Sequence, residues 1–284
     1  VKRAAVLGSP IAHSLSPVLH TAGYAARGLA EWSYGRREVT ASALGEVVAA
    51  LDEEWRGLSL TMPLKEAAFE VATTVSDVAT RAGAINTLTR RDDGGWDATN
   101  TDVAGIVEAL RPHLHDPSAR PSATVVGAGA TARSAVLALM ALGCTHISVR
   151  ARRPDAAEEV ALWARETLGI ETSEAGPISG LDPREHVLVS TVPPAASSAV
   201  AAALPAQAAQ PARRKPGELA APVLLDVVYA DWPTPLAREA ARLGWTVVSG
   251  LDMLVHQAAA QFELFTGVPA PVEAMMDAGR AALA

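Results

Sequence analysis

The chain has 284 residues, 49% hydrophobic and 19% charged, with a formal net charge of −7. That length allows one large or two modest domains; the composition is that of a globular protein, and the acidic balance argues against a general nucleic-acid surface. The lone Cys144 excludes an intramolecular disulfide and a cysteine zinc site, which suits the reducing cytoplasm; neither a signal peptide nor a membrane span is expected.

Ala4-Ala5-Val6-Leu7 predicts a short buried strand that stops at Gly8. Ser16-Pro17 predicts a helix start, with Ser16 as N-cap and Pro17 at the first helical position. Strands are expected at 32–39 and 57–61, and helices at 43–51 and after Pro63, the latter containing Lys65. Residues 84–89 and 96–99 predict a hairpin around Asp92-Asp93-Gly94-Gly95. A helix is expected at 102–110 and a loop at 111–122. Then come a strand at 123–126, a glycine turn, a small-residue helix at 132–142 and a strand at 146–150. Further strands are expected at 187–190, 223–226 and 246–248. The Ala/Pro-rich stretch 195–222 carries Arg213-Arg214-Lys215-Pro216-Gly217, which reads as a solvated loop. From Leu251 the pattern is helical, with a break at Thr266-Gly267-Val268-Pro269. No strand follows these last helices, so they are expected to return to the first domain.

The glycine turn, Gly127-Ala128-Gly129-Ala130-Thr131-Ala132, reads as the start of a dinucleotide-binding βαβ unit. Gly127 permits the turn, Gly129 lets the backbone approach a pyrophosphate at the helix N-terminus, and Ala132 stands for the third glycine. The following strand ends on Arg150 and leads into Arg152 and Arg153, where an NAD site usually has an acid. Guanidinium groups there fit the 2′-phosphate of NADP, although a solvated basic turn would look the same.

Other candidates carry weaker signals. Ser14 and Ser16, beside a helix N-terminus, could seat a carboxylate, or Ser16 could only cap. Ser59 and Thr61 share a strand face, and a turn aims Lys65 the same way; a cation near a helix start opposes the helix dipole. Asn86 and Asp102 stand at element ends, as substrate groups or as an Asx-turn and a cap. Gln257 reads as a ligand or a satisfied helix amide, and the adjacent His256 as structural. The histidine spacing does not suggest a metal site.

Taken together, these motifs resemble the shikimate dehydrogenase family, nearly end to end. G-x-P-I-x-H-S-x-S-P matches residues 8–17, and N-V-T-x-P-x-K matches at Thr61, Pro63 and Lys65. G-A-x-N-T matches 83–87, and N-T-D-x-x-G matches Asn100, Thr101, Asp102 and Gly105. D-x-x-Y-x-P-x-x-T-x-L is answered by Asp226, Tyr229, Thr234 and Leu236, with the proline displaced to Pro233. G-x-x-M-L-x-x-Q matches Gly250, Met253, Leu254 and Gln257.

The resemblance implies a two-domain α/β fold. Residues 1–103 would form a substrate-binding and catalytic domain, 104–250 a Rossmann-type NADP domain, and 251–284 helices packed on the substrate domain. It implies NADPH-dependent reduction of 3-dehydroshikimate to shikimate in aromatic amino-acid biosynthesis, in a cleft between the domains, by an enzyme that often forms homodimers. Lys65 and Asp102 would be the catalytic pair. Ser14 and Ser16 would hold the carboxylate, and Ser59, Thr61, Asn86, Tyr229 and Gln257 would contact hydroxyls or ring. Gly127, Ala128, Gly129, Ala130, Ala132, Arg152, Arg153, Thr191, Val192, Gly250 and Met253 would meet the cofactor. The chain departs from the pattern where Ser59 and Ser190 replace asparagines, and where Ala151 and Arg153 flank the arginine of N-R-T. These departures leave quinate or aminoshikimate open as substrate. A dinucleotide-binding regulator without catalysis is the alternative of another class.

Overall fold

In a computed structural model of the chain, residues 1–114, 121–170, 174–182, 186–205 and 221–284 are described. The basic run at 213–217 lies outside them. The chain divides into two compact units, Val1–Gly105 with Leu254–Ala284, and Ile106–Met253.

The first unit is built on β1 (Lys2–Gly8), α1 (Ser16–Ala26), β2 (Trp32–Glu38), α2 (Leu44–Ala49), β3 (Trp55–Leu60) and α3 (Leu64–Ala67). It continues with β4 (Thr74–Val75), α4 (Asp77–Ala82), β5 (Thr87–Arg90), β6 (Trp96–Thr99) and the start of α5 (Asp102–Leu110). Its six strands run β2-β1-β3-β5-β6-β4, with β2, β1 and β3 parallel, β5 antiparallel to both β3 and β6, and β4 parallel to β6.

β1 reads as an unbroken apolar run because both of its faces are covered. Ala5 and Leu7 point into one cluster with Leu44, Leu58, Leu60, Leu64, Ile85 and Leu88. Ala4 and Val6, one step out of phase, point into the other with Tyr24, Tyr34, Phe262 and Phe265.

Ser16 differs from expectation. It is the first residue of α1, not its N-cap; Leu15 holds that place without a side-chain cap. Ser14 takes part of the role, its Oγ accepting the Ser16 N–H at 3.3 Å.

The second unit contains β7 (Ser122–Val126), α6 (Ala130–Ala141), β8 (His146–Ala151), α7 (Pro154–Leu168), β9 (Ala175–Pro177) and β10 (Val187–Ser190). Then follow α8 (Ser197–Ala203), β11 (Val223–Asp226), α9 (Pro235–Arg242), β12 (Thr246–Ser249) and α10 (Gly250–Thr266), which runs on into the first unit, as does α11 (Val272–Leu283) after it. The sheet is parallel throughout, in the order β12-β11-β10-β7-β8-β9. Counted from β7, this is 3-2-1-4-5-6 read from the β9 edge, the doubly wound order of dinucleotide-binding sheets, whose chain reverses between β7 and β10.

The expected α/β fold is therefore present in both units. Within the first unit, α11 packs on α1, and Phe262 of α10 is fully buried against Tyr24. Burying a side chain of that size contributes roughly 1.5–3 kcal/mol.

Candidate active site

In the first unit, two loops leave the carboxyl ends of the adjacent parallel strands β1 and β3, the end at which open α/β sheets place ligands. They are held together by backbone hydrogen bonds, Thr61 N–H to the Leu7 carbonyl and Ser9 N–H to the Met62 carbonyl, both 2.9 Å. The approach requires glycine at position 8, since a Cβ there would lie 2.3 Å from Thr61 Cγ2 and 2.9 Å from the Met62 carbonyl oxygen. The first loop carries Ser14, whose hydroxyl donates to Ser16 Oγ at 3.3 Å. The second carries the half-buried Thr61 and leads into α3.

Lys65, the second residue of α3, places its Nζ 2.5 Å from Asp102 Oδ2. Their side chains are 13% and 7% exposed, so the pair is largely withdrawn from water. The four residues of α3 make too short a helix for its dipole to govern the lysine; Asp102 governs it. Asp102 opens the longer α5, where a carboxylate is favoured. Asn100 secures that helix start, its Oδ1 accepting the N–H groups of Asp102 at 3.0 Å and Val103 at 3.4 Å. Asn86 completes the group: its Nδ2 donates to Asp102 Oδ1 at 2.9 Å and to Thr101 Oγ1 at 3.0 Å. The Asn86 carbonyl in turn accepts the Leu60 N–H at 2.7 Å, which ties this corner to β3. Gln257, on α10, brings its Oε1 to 3.5 Å from Asn86 Nδ2 and donates to the Leu254 carbonyl.

Lys65, Asp102, Asn86 and Gln257 are thus gathered at one place. Ser59 is not with them. It is 4% exposed, and its hydroxyl accepts from Tyr34 and donates to Gln261 Oε1, both at 2.6 Å. The pleat of β3, with Leu58 and Leu60 in the opposite cluster, turns it toward the α10 side. Thr87, Thr101 and Gln261 belong to the same buried group, and none of them was assigned a site role from the sequence. An open cavity of about 530 Å³ also lies in this unit, lined by residues that include Thr74, Ser76, Asp97 and Leu264, and it contains none of the expected substrate residues.

In the second unit the glycine turn sits at the carboxyl end of β7, beside that of β10, where the strand order reverses. Gly127 has φ +129°, and a Cβ on it would lie 2.1 Å from Thr191 Oγ1. Thr191 is fixed by its own bonds to the Val126 carbonyl, from N–H at 2.8 Å and from Oγ1 at 3.0 Å. Val192 is half-buried against the cluster under β10 and β11. Gly129 is exposed and faces open space on its Cβ side, with Ala128 and Ala130 half-buried around it. No side chain caps α6, and its first turn holds no acid. Ala132 is fully buried, as a small residue at a helix–strand contact should be. These features fit a pyrophosphate group at the helix N-terminus.

Arg152 and Arg153 are exposed just beyond β8 and form no ion pair among the described residues. Arg150 behaves otherwise, buried at 5% and paired with Glu174. Asp226, at the end of β11, accepts from Thr234 Oγ1 at 2.7 Å, and burial pushes its carboxyl above the usual carboxylate range. Tyr229 is half-buried after β11; Gly250 opens α10 and Met253 is buried one turn on.

Residues 6–88 match the shikimate dehydrogenase substrate binding domain, and residues 250–278 the shikimate 5′-dehydrogenase C-terminal domain. A shikimate dehydrogenase (NADP(+)) of Anaeromyxobacter sp. (strain Fw109-5) is 37% identical, over 98% of this chain and 95% of its own length. The chain belongs to the shikimate dehydrogenase family. The Mycobacterium tuberculosis shikimate dehydrogenase structure superposes with a TM-score of 0.85 at 42% identity, covering 99% of this chain and 100% of the other. The Thermus thermophilus shikimate 5-dehydrogenase, solved in complex with NADP(H) and shikimate, gives 0.80 at 31% identity, with both chains fully covered. The family assignment accords with the sequence resemblance, the α/β fold and the reversal point in the second sheet.

Proposed function

We propose that this member of the family reduces the ketone of 3-dehydroshikimate to shikimate with NADPH, reversibly, as a cytoplasmic enzyme of aromatic amino-acid biosynthesis. The observation that carries the reading is the withdrawn Lys65–Asp102 pair, braced by Asn86. NADPH, when bound, supplies the hydride to the carbonyl carbon. Lys65 Nζ gives the carbonyl oxygen its proton and offsets the charge that develops there. Asp102 holds the ammonium in place and is itself held by Asn86. Ser14 and Ser16 receive the substrate carboxylate; Thr61, Asn86 and Gln257 meet its hydroxyls or ring.

The first unit is thus the substrate domain and the second the cofactor domain. The turn 127–132 takes the pyrophosphate, Arg152 and Arg153 take the 2′-phosphate, and Thr191, Val192, Gly250 and Met253 lie on the nicotinamide side. A regulator without turnover would have no need for a buried, braced lysine.

The test is NADPH formation from NADP+ with shikimate, quinate and aminoshikimate in parallel. Shikimate should give the highest kcat/KM. Higher kcat/KM for either rival would move the substrate to it, and no turnover of any would leave only dinucleotide binding.

A further inference from the structure

Beneath the Lys65–Asp102 pair a line of buried polar side chains crosses the first unit. Tyr34 OH donates to Ser59 Oγ, and Ser59 donates to Gln261 Oε1. Gln261 Nε2 donates to Thr87 Oγ1 at 2.9 Å and to the Asn86 main-chain carbonyl at 3.2 Å. Thr87 Oγ1 donates to Asn86 Oδ1 at 2.7 Å, and Asn86 Nδ2 reaches Asp102. Gln261, Thr87, Asn86 and Ser59 are all at most 4% exposed.

Each group's orientation follows from donor counting. An ionised carboxylate only accepts, so Asn86 turns its NH2 to Asp102 and its Oδ1 back into the protein. The Thr101 N–H, 2.7 Å from that Oδ1, independently requires the same orientation. Thr87 has one hydroxyl proton, used on Asn86, so it must receive from Gln261. The Asn86 carbonyl, also an obligate acceptor, fixes Gln261 the same way round. Gln261 Oε1 therefore takes the Ser59 proton, and Ser59 takes that of Tyr34. The dipoles run head to tail toward Asp102, an arrangement in which each bond polarises the next.

We infer that Gln261 is a positioning residue for the catalytic lysine–aspartate pair, acting through Thr87 and Asn86. It does not touch the reacting atoms. It holds the Asn86 carboxamide in the one orientation that donates to Asp102, from a position on α10 one turn beyond Gln257, whose Oε1 lies 3.5 Å from Asn86 Nδ2. Ser59 and Tyr34 hold Gln261 in turn, which gives the serine at position 59 a role inside the protein. The catalytic consequence rests on the proposed function; the geometric one does not.

The test uses Thr87→Val, which keeps the shape and removes the hydroxyl, Thr87→Ser, which restores it, and Gln261→Glu, which keeps the shape and cannot donate to Thr87 and the Asn86 carbonyl together. Wild-type turnover of shikimate is measured first. Thr87→Val and Gln261→Glu should lose about tenfold or more in kcat, with the KM for NADP+ within about twofold of wild type, and Thr87→Ser should recover most of kcat. Hydrogen exchange at the Asn86 side-chain amide, read by NMR, should quicken in the first two and not in Thr87→Ser. Wild-type kcat in Thr87→Val, or an equal loss in Thr87→Ser, would overturn the inference. If the wild type fails to turn over shikimate, the proposed function fails, and the amide exchange alone decides whether Gln261 and Thr87 position Asn86.

Discussion

The ammonium of Lys65 and the carboxylate of Asp102 each make the other tolerable. Removing such ions from water costs several kcal/mol apiece, which close contact and extra hydrogen bonds offset. Lys65→Met should therefore have two separable effects. Turnover should fall by about 10²–10⁴, the usual worth of a general acid. Stability should also fall, by about 3–5 kcal/mol, because Asp102 is left buried without its counter-charge. Adding Asp102→Asn removes that charge and should restore much of the stability without restoring turnover. Urea midpoints and kcat for the single and double variants check this; near-normal kcat in either would take Lys65 out of the mechanism. Lys65, Asp102 and Asn86 could be read in the sequence because each stands at an element end inside a short motif. The bond from Ser59 to Gln261 could not be read there, because the two lie 202 positions apart and no local pattern reports such a pairing. Gln261 was missed for the same reason: on a helix rich in small and apolar residues it looks like one more polar position.

At the scale of elements, the β8–α7 turn shows how three arginines that look alike in sequence part ways. Arg150 still belongs to β8. It pairs with Glu174 and packs where Gly176 and Gly180 leave room, a Cβ on either lying 3.0 Å from its guanidinium. The proposed function assigns the 2′-phosphate to Arg152 and Arg153, which lie beyond the strand and are exposed. Replacing both with neutral residues should weaken NADP and scarcely alter NAD, narrowing the preference by at least about tenfold, or about 1.4 kcal/mol. The ratio of kcat/KM for the two cofactors, in wild type and double variant, measures it. An unchanged ratio would make these arginines plain surface charges. The elements themselves were legible where a pattern had length: β1 and the strands β7, β10 and β11 of the second sheet announce themselves as apolar runs. β4 and β9 were not, having two and three residues and no apolar rhythm. Pairing with β6 and β8 makes them strands, and that is a property of the sheet rather than of the segment.

At the scale of the whole molecule, each unit has its own core, and among the described residues only the first has a fully buried imidazole. His20 is fully buried, stacked on Tyr34 with ring centres 4.0 Å apart and flanked by Tyr24, Phe262 and Phe265. Burial pushes its pKa down to about 3, so the native state holds it neutral. The unfolded chain has an ordinary histidine there, with a pKa of 6.5. Below that value the unfolded state binds a proton that the native state refuses, so stability falls with falling pH. The loss begins near pH 6.5 and continues to about pH 3, where the native state takes up the proton too. Between pH 7 and pH 5 this one group should cost about 2 kcal/mol. In His20→Leu that part of the pH dependence should vanish, whatever the variant's stability at pH 7. Urea unfolding of both proteins at the two pH values gives the difference. Hydrogen exchange followed by mass spectrometry locates it, since peptides from Val1–Gly105 and Leu254–Ala284 should carry the change. An equal pH dependence in wild type and variant would mean that other groups, not this buried ring, limit the protein's stability in acid.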